Sequence, residues 1–85
     1  MTAPGSPRVR LYVRSGCHLC DAAREVVAEV CADLGESFEE VLIDSDVALR
    51  ERFTDEVPVT FVDGRQHDFW RVDGTRLRTA LAGRR

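Results

Sequence analysis

The 85-residue sequence predicts a single α/β domain built on a four-stranded mixed sheet that is flanked by helices. Short apolar runs typical of strands alternate with segments of helical periodicity, in the order βαβαββα. A long helix separates the first two strands, which favours parallel pairing through a right-handed crossover. An Asp-Gly turn separates the last two strands, which favours an antiparallel hairpin.

The first strand and the first helix are the most regular parts of the sequence. In Val9–Val13, aliphatic residues alternate with polar or aromatic ones, as expected for a strand with one strongly apolar face. Ser15-Gly16 provides a turn, and the helix then runs from the cysteines to Leu34, with apolar residues three or four positions apart. Gly35 follows as the residue that ends this helix.

The second strand is predicted at residues 38–44, where Val41-Leu42-Ile43 form a short buried run. Arg10, in the first strand, lies on the face opposite to that strand's aliphatic residues. Because a charged residue is awkward in a central strand, we expect either that this face of the sheet is thinly covered or that Arg10 pairs with an acid on the neighbouring strand, such as Glu40.

The second half of the chain contains the remaining elements. Residues just before Val47–Phe53 offer N-caps for a short helix. A strand at residues 58–62 begins with Pro, where a missing N–H is tolerated. The hairpin turn leads to a strand at residues 67–71, and Asp73 then caps a last helix over residues 75–82.

Composition and charge exclude several classes of protein. The net charge is −3, and the 12 basic residues, all of them Arg, are interspersed with acids, so no basic face for nucleic acid is predicted. No stretch is long and apolar enough to span a membrane, and residues 1–7 contain no apolar run typical of a signal peptide. We expect a cytoplasmic monomer with a flexible segment at residues 1–7 and one domain over residues 8–83.

A Cys-X-X-Cys pair lies where the first strand passes into the first helix. Cys17 and Cys20 share one face of the first helical turn, so their sulfurs can close a disulfide without backbone movement. Unpaired N–H groups and the positive dipole at a helix N-terminus favour the thiolate of Cys17, which is the reacting form. We therefore predict Cys17 as the nucleophile and Cys20 as the less exposed resolving thiol.

Other residues are candidates for supporting roles. Arg14 is either a fixed cation near the thiolate and a contact for a ligand carboxylate, or a solvated Arg at a strand end. His18 either adds positive charge beside Cys17 or is an exposed spacer. The third cysteine, Cys31, is expected to be buried as a small hydrophobe, and His67 is expected at the surface.

Two aromatic residues, Phe69 and Trp70, adjoin in the predicted last strand. Adjacent residues of a strand point to opposite faces, so one of the two could line a substrate surface. Core packing of both, around a bend, is the favoured prediction.

Two stretches of the sequence resemble the glutaredoxin-like family of the thioredoxin fold. The stretch Leu11-Tyr12-Val13-Arg14-Ser15-Gly16-Cys17-His18-Leu19-Cys20 is similar to that family's strand, loop and helix start. The stretch Val57-Pro58-Val59-Thr60-Phe61-Val62-Asp63-Gly64 is similar to its Val-Pro segment, third strand and turn. The resemblance extends over roughly residues 9–81, and Asp73 lies near the family's acidic helix cap.

This resemblance implies the thioredoxin/glutaredoxin fold and a thiol–disulfide oxidoreductase that acts in cell redox homeostasis. It also implies a cis bond between Val57 and Pro58, beside the cysteine pair, where exposed backbone pairs with an extended peptide or a thiol tripeptide. The site residues expected on this basis are Cys17 and Cys20 for catalysis, and Arg14, His18, Val57 and Pro58 for substrate binding.

The sequence departs from the family's pattern in two places. His18-Leu19 stands between the cysteines, where dithiol glutaredoxins typically have Pro-Tyr. After the hairpin the family has Gly-Gly, which lets glutathione approach the backbone, whereas this chain has the bulky Phe69 and Trp70. We expect these side chains to obstruct glutathione. The predicted partners are therefore disulfide-containing proteins or another small thiol, with a reductase or a small thiol as electron donor and no bound cofactor.

Two other functions stay open at this point. A metal or iron–sulfur protein would use Cys17, Cys20 and His18, but a structural zinc site needs about four ligands, so no metal site is predicted within one chain. A cluster would have to be shared between two chains. A thioredoxin-fold redox sensor or binding module without turnover is the second alternative. Iron content would distinguish a metal or iron–sulfur protein from an oxidoreductase. Turnover with a reductant would distinguish an oxidoreductase from a redox sensor or binding module.

Overall fold

The computed structural model describes residues 7–82, and within them the chain has the predicted α/β architecture. The elements, in chain order, are β1 (Val9–Val13), α1 (His18–Leu34), β2 (Phe38–Leu42), α2 (Val47–Phe53), β3 (Val59–Val62), β4 (Arg65–Phe69) and α3 (Gly74–Ala82). The sheet order is β2-β1-β3-β4, with β1 and β2 parallel and the other pairs antiparallel. The predicted element order and mixed sheet are confirmed. Of the predicted N-terminal segment, residues 1–7, all but Pro7 lie outside the described residues.

Each helix begins where the local sequence supplies a cap. Cys17 is the N-cap of α1, and Gly35 ends that helix in the left-handed conformation, with φ 71°. Asp46 caps α2 by accepting the N–H of Leu49 at 3.1 Å. Asp73 caps α3 in the same way, through N–H groups of the first turn.

The core lies around β1, which is one of the two central strands of the sheet. Its aliphatic side chains form one buried cluster with those of the two longer helices, including Val9, Leu11, Val13, Val27, Val30, Leu77 and Leu81. On the other face, the ring of Tyr12 lies 4.9 Å from that of Phe53 and 5.5 Å from that of Phe61. Within residues 7–82, no helix combines the length and the apolar character that crossing a membrane requires.

The second strand is less buried than the sequence predicts. It ends at Leu42 rather than at residue 44, and Leu42 is 49% exposed because β2 lies at an edge of the sheet. Arg10 does pair with an acid of the neighbouring strand, as expected, but the acid is Glu39 and not Glu40. The register places Arg10 opposite Glu39, and Arg10 Nη2 lies 3.0 Å from Glu39 Oε1, whereas Glu40 accepts from Arg24 of α1.

The hairpin is displaced relative to the predicted position. β4 spans Arg65–Phe69 instead of residues 67–71, because the two-residue turn Asp63-Gly64 places Arg65 directly opposite Val62. β3 begins at Val59 rather than at residue 58, since Pro has no N–H to donate to the ladder. As a consequence, the chain leaves the sheet two residues earlier than expected, and Trp70 lies beyond the strand.

Candidate active site

The Cys17–Cys20 pair lies at the junction between β1 and α1. β1 ends at Val13, and Gly16 turns the chain with a positive φ of 69°. Cys17 then adopts an extended conformation as N-cap, and its Sγ accepts the backbone N–H of Cys20 at 3.2 Å. The Cys17 sulfur therefore takes the place of the oxygen that usually caps a helix, at the positive end of the helix dipole.

The two cysteines have different environments. Cys17 is partly exposed, whereas Cys20 is 1% exposed, and both are free thiols. The pKa of Cys20 is raised to about 11, first by burial and then by the hydrogen bond with Cys17, while a backbone hydrogen bond with Arg14 opposes the shift. The pair thus combines an accessible sulfur with a buried one that stays protonated at neutral pH.

Arg14 connects the cysteine loop to the loop that precedes β3. Its exposed Nη1 donates to the carbonyl of Thr54 at 3.2 Å. Nearby, the pKa of Asp44 is lowered, first by the hydrogen bonds from Ser15 and then by the charges of Arg14 and Arg50. These residues line an open cleft of about 330 Å³. Because the Arg14 guanidinium bonds a neutral carbonyl there, it can also contact an anionic group of a ligand.

The loop of residues 54–58 contains the Val57–Pro58 bond, which is cis. Both residues are buried, and Val57 is 5% exposed. The N–H of Val57 already donates to the carbonyl of Phe53 at 3.0 Å. The Val57 carbonyl accepts no hydrogen bond within residues 7–82.

Trp70 binds the same loop from the side of β4. Its backbone N–H donates to the carbonyls of Pro58 at 2.8 Å and Glu56 at 3.1 Å. Its indole Nε1 donates to the carbonyl of Asp55 at 2.8 Å. The residue has φ 66°, a left-handed conformation that is uncommon for a bulky side chain. These hydrogen bonds fix both the position of the indole ring and the course of the loop.

The predicted core packing of Phe69 and Trp70 is wrong. They are 49% and 53% exposed, and their rings meet edge to face with centroids 5.0 Å apart. The chain turns out of the strand at Trp70, which brings both rings to the surface. No local pattern in the sequence indicates this arrangement, since the groups that hold Trp70 belong to a loop much earlier in the chain.

The remaining candidates lie at different depths. His18 is the first residue of α1, is exposed and makes no hydrogen bond or ion pair within the described part of the chain. Cys31 is 2% exposed, as predicted, and burial raises its pKa. His67 is not at the surface: its side chain is 12% exposed and its Nε2 has no hydrogen-bond partner among residues 7–82. The earlier start of β4 places His67 in the middle of the strand rather than at its start.

The structure therefore brings part of the predicted site together. Cys20 forms hydrogen bonds with both Cys17 and the backbone of Arg14. The guanidinium of Arg14 bonds Thr54, in the loop that contains Val57 and Pro58. Across residues 7–82, no group of three or more His, Cys, Asp or Glu side chains is arranged to hold a metal ion.

The chain is similar to known proteins over most of its length. Residues 8–82 match the family model described as Glutaredoxin-like domain (DUF836). The uncharacterized protein Rv0508 of Mycobacterium tuberculosis is 42% identical over 83 residues, which cover 89% of this chain and 84% of that protein. The X-ray structure of the structural-genomics target XcR50 from X. campestris has a TM-score of 0.75 at 40% identity, covering 91% of this chain and 99% of that one. Fasciola hepatica thioredoxin shares the fold, with a TM-score of 0.61 at 17% identity over 95% of this chain and 83% of that one.

Proposed function

The chain belongs to the glutaredoxin-like (DUF836) family, and from this premise we propose that it is a thiol–disulfide oxidoreductase with Cys17 as nucleophile and Cys20 as resolving thiol. The observation that carries the proposal is the asymmetry of the two thiols. The Cys17 sulfur caps a helix, accepts an N–H and is partly exposed, whereas Cys20 is buried one turn deeper. That division suits a reaction in which one sulfur meets the substrate and the other acts only afterwards.

The first step is attack of the Cys17 thiolate on one sulfur of a substrate disulfide. A bond forms between Cys17 Sγ and that sulfur, the substrate S–S bond breaks, and the departing sulfur leaves as a thiolate that takes a proton from solvent. Before the attack, the N–H of Cys20 and the positive end of α1 stabilise the negative charge on Cys17.

In the second step Cys20 loses its proton and attacks Cys17 Sγ. This releases the second substrate sulfur and leaves a Cys17–Cys20 disulfide, so two electrons have passed from the dithiol to the substrate. Because the pKa of Cys20 is raised to about 11, its sulfur does not compete with Cys17 in the first step at neutral pH. A low-molecular-weight thiol or a reductase then returns the two electrons.

The proposed substrates are protein disulfides or mixed disulfides of a low-molecular-weight thiol. Arg14 is available to contact a substrate carboxylate, and the Val57 carbonyl is available to accept a peptide N–H. The backbone N–H of Trp70 already bonds two carbonyls of the adjacent loop, and its indole Nε1 bonds a third. This arrangement supports a partner other than glutathione.

Single-turnover reaction of the reduced protein with a disulfide-linked peptide tests the proposal. We expect Cys17→Ser to release no thiol, because the attacking sulfur is gone. Cys20→Ser should accumulate the mixed disulfide at Cys17, seen as an added peptide mass on the intact protein. Cys31→Ser is the matched control and should react at the unchanged rate, since Cys31 is 2% exposed and lies outside the pair.

Full activity of Cys17→Ser would end this proposal. A protein that binds the peptide but leaves its disulfide intact would instead favour the binding module or sensor.

A further inference from the structure

A small apolar cleft begins at the cysteine motif. It lies between the first turns of α1 and the segment after β4, and its volume is about 260 Å³. Leu19, Ala22 and Val26 line it on the helix side, and Trp70 and Val72 on the other. Leu19 stands between the two cysteines, so the cleft opens within one helical turn of the attacking sulfur.

The cleft is exposed although its walls are apolar. Leu19 is 47% exposed and Trp70 53% exposed, and the half-exposed ring of Phe69 lies against that of Trp70. An exposed apolar group of this kind, next to a reactive sulfur, marks a surface that another molecule covers. The volume is below the roughly 300 Å³ at which sites for whole small molecules begin, and suits a single side chain.

The topology makes the cleft continuous with the rest of the site. Tyr12 pairs with Val59, and Val59 pairs with Phe69, so the end of β1, the start of β3 and the end of β4 are neighbours across the sheet. The attacking sulfur, the free Val57 carbonyl and the cleft therefore lie at the same end of the sheet.

Trp70 holds this arrangement in place. Its indole forms one wall of the cleft and is tied by Nε1 to the Asp55 carbonyl, while its backbone N–H binds the carbonyls of Glu56 and Pro58. The same residue thus fixes the cleft and the loop that carries the free carbonyl. Arg71 lines the cleft beside it and forms no ion pair within residues 7–82, which leaves a positive charge at the cleft for an acidic neighbour.

We propose that this cleft is a specificity pocket that accepts an apolar side chain next to the cysteine of a disulfide-containing polypeptide, with Trp70 as its positioning residue. The proposal rests on the proposed oxidoreductase function. A mixed disulfide of a small thiol alone leaves the cleft empty, so the pocket makes the protein selective for polypeptides. The side chain next to the substrate's cysteine then determines which disulfides react fastest. Backbone pairing at the Val57 N–H does not determine this order.

Two pentapeptides test the pocket. Each has a central cysteine in a mixed disulfide with cysteamine, flanked by leucine in one peptide and by glycine in the other. For each peptide, the second-order rate constant for attack by the reduced protein is measured in single turnover. It is divided by the rate constant for attack by dithiothreitol on the same peptide, which corrects for the intrinsic reactivity of the disulfide. Because the leucine side chain is partly buried in the cleft, the corrected rate constant of the leucine peptide should exceed that of the glycine peptide by about fivefold or more.

Variants separate the pocket from general effects on folding. Ala22→Leu fills the cleft and is expected to bring the ratio of the two corrected rate constants, leucine peptide over glycine peptide, close to one. Ala28→Leu is the matched control, because Ala28 is another exposed alanine of α1 that does not line the cleft, and it should keep the preference. Trp70→Phe loses the Nε1 hydrogen bond and should lower the preference by about two- to fivefold.

The outcomes are distinguishable. If the protein attacks neither peptide, the proposed function falls and this inference with it. If it attacks both peptides at equal corrected rates, or if Ala22→Leu keeps the leucine preference, this inference alone is overturned. An unchanged preference in Trp70→Phe overturns the positioning role of Trp70.

Discussion

Cys20 links the chemistry of the site to the stability of the fold. The thiol belongs to the buried apolar cluster, where its neutral form packs as a small hydrophobic side chain. Its thiolate would be a buried charge, and the favourable contribution of Arg14 does not offset the burial. Cys20 is therefore a neutral thiol at neutral pH.

We predict that the reduced protein loses stability as the pH rises above about 9. The pKa of Cys20 is about 11 in the folded protein and near the ordinary value of 9.0 in the unfolded chain. Between these values the unfolded state has lost a proton that the folded state keeps, so the free energy of unfolding falls as the pH rises. The loss due to Cys20 should approach about 2–3 kcal/mol at pH 11. Urea unfolding at neutral and at alkaline pH measures it.

Cys20→Ala provides the control for this titration. The variant keeps Cys17 and Cys31 and lacks only the thiol at position 20. We expect its free energy of unfolding to fall less between the two pH values than that of the unchanged protein. Equal falls in the two proteins would contradict the raised pKa of Cys20.

At the scale of elements, α1 matters most because Cys17 is its N-cap, Cys20 lies in its first turn and Gly35 is its C-cap. The sequence could predict these caps, since each is a local feature: Cys17 follows a Ser-Gly turn, and Gly35 follows the last apolar residue of the helical pattern. Gly35 has φ 71°, and the N–H of Glu36 donates to the Cys31 carbonyl at 2.8 Å. The end of the helix is thus fixed by a residue that adopts this conformation without strain.

Gly35→Ala should lower the free energy of unfolding by about 1 kcal/mol. A Cβ at this position meets nothing within 4 Å, so the cost comes from the left-handed backbone alone. Gly74→Ala is the matched control at the first residue of α3, where a Cβ would lie 3.5 Å from Val26 Cγ1, an ordinary contact. We expect that change to be neutral or stabilising by up to about 1 kcal/mol. Equal destabilisation of the two variants in urea unfolding would contradict this explanation.

The last strand shows where prediction from local sequence stops. The Asp63-Gly64 turn was recognisable, but the length of the hairpin depends on how β4 pairs with β3, including an irregularity between Thr60 and Phe61. The register in turn decides that Trp70 leaves the strand and that His67 lies within it. The choice of Glu39 rather than Glu40 as the partner of Arg10 has the same cause, because a shift of one residue exchanges the two faces of a strand.

At the scale of the whole molecule, the topology assembles the site from three separate segments. The cysteine loop follows β1, the loop with Val57 and Pro58 precedes β3, and Trp70 follows β4. Because β1 and β4 are both antiparallel to β3, these three segments meet at one end of the sheet. That the Val-Pro segment lies beside the cysteines was expected from the family resemblance rather than from the element order alone.

The part of the site that the sequence could not predict is held by contacts between distant segments. The hydrogen bonds of Trp70 to the loop of residues 54–58 and the bond of Arg14 to Thr54 join groups that have no periodic relation in the chain. The hydrogen bond from the Val57 N–H to the Phe53 carbonyl is a further example, because it depends on how tightly the loop turns after α2. The position of the cysteine pair at the start of α1 was predictable from the sequence, whereas the contacts of Trp70 and Arg14 with the loop of residues 54–58 were not.

The central claim is that Cys17 and Cys20 form a working redox pair. A redox titration of the protein, with each thiol identified by alkylation and mass spectrometry, tests it most directly. We predict a reversible two-electron transition between the dithiol and the Cys17–Cys20 disulfide, with a midpoint between about −270 and about −120 mV and with Cys31 unpaired throughout. A disulfide that fails to form in that window, or one that includes Cys31, would contradict the claim.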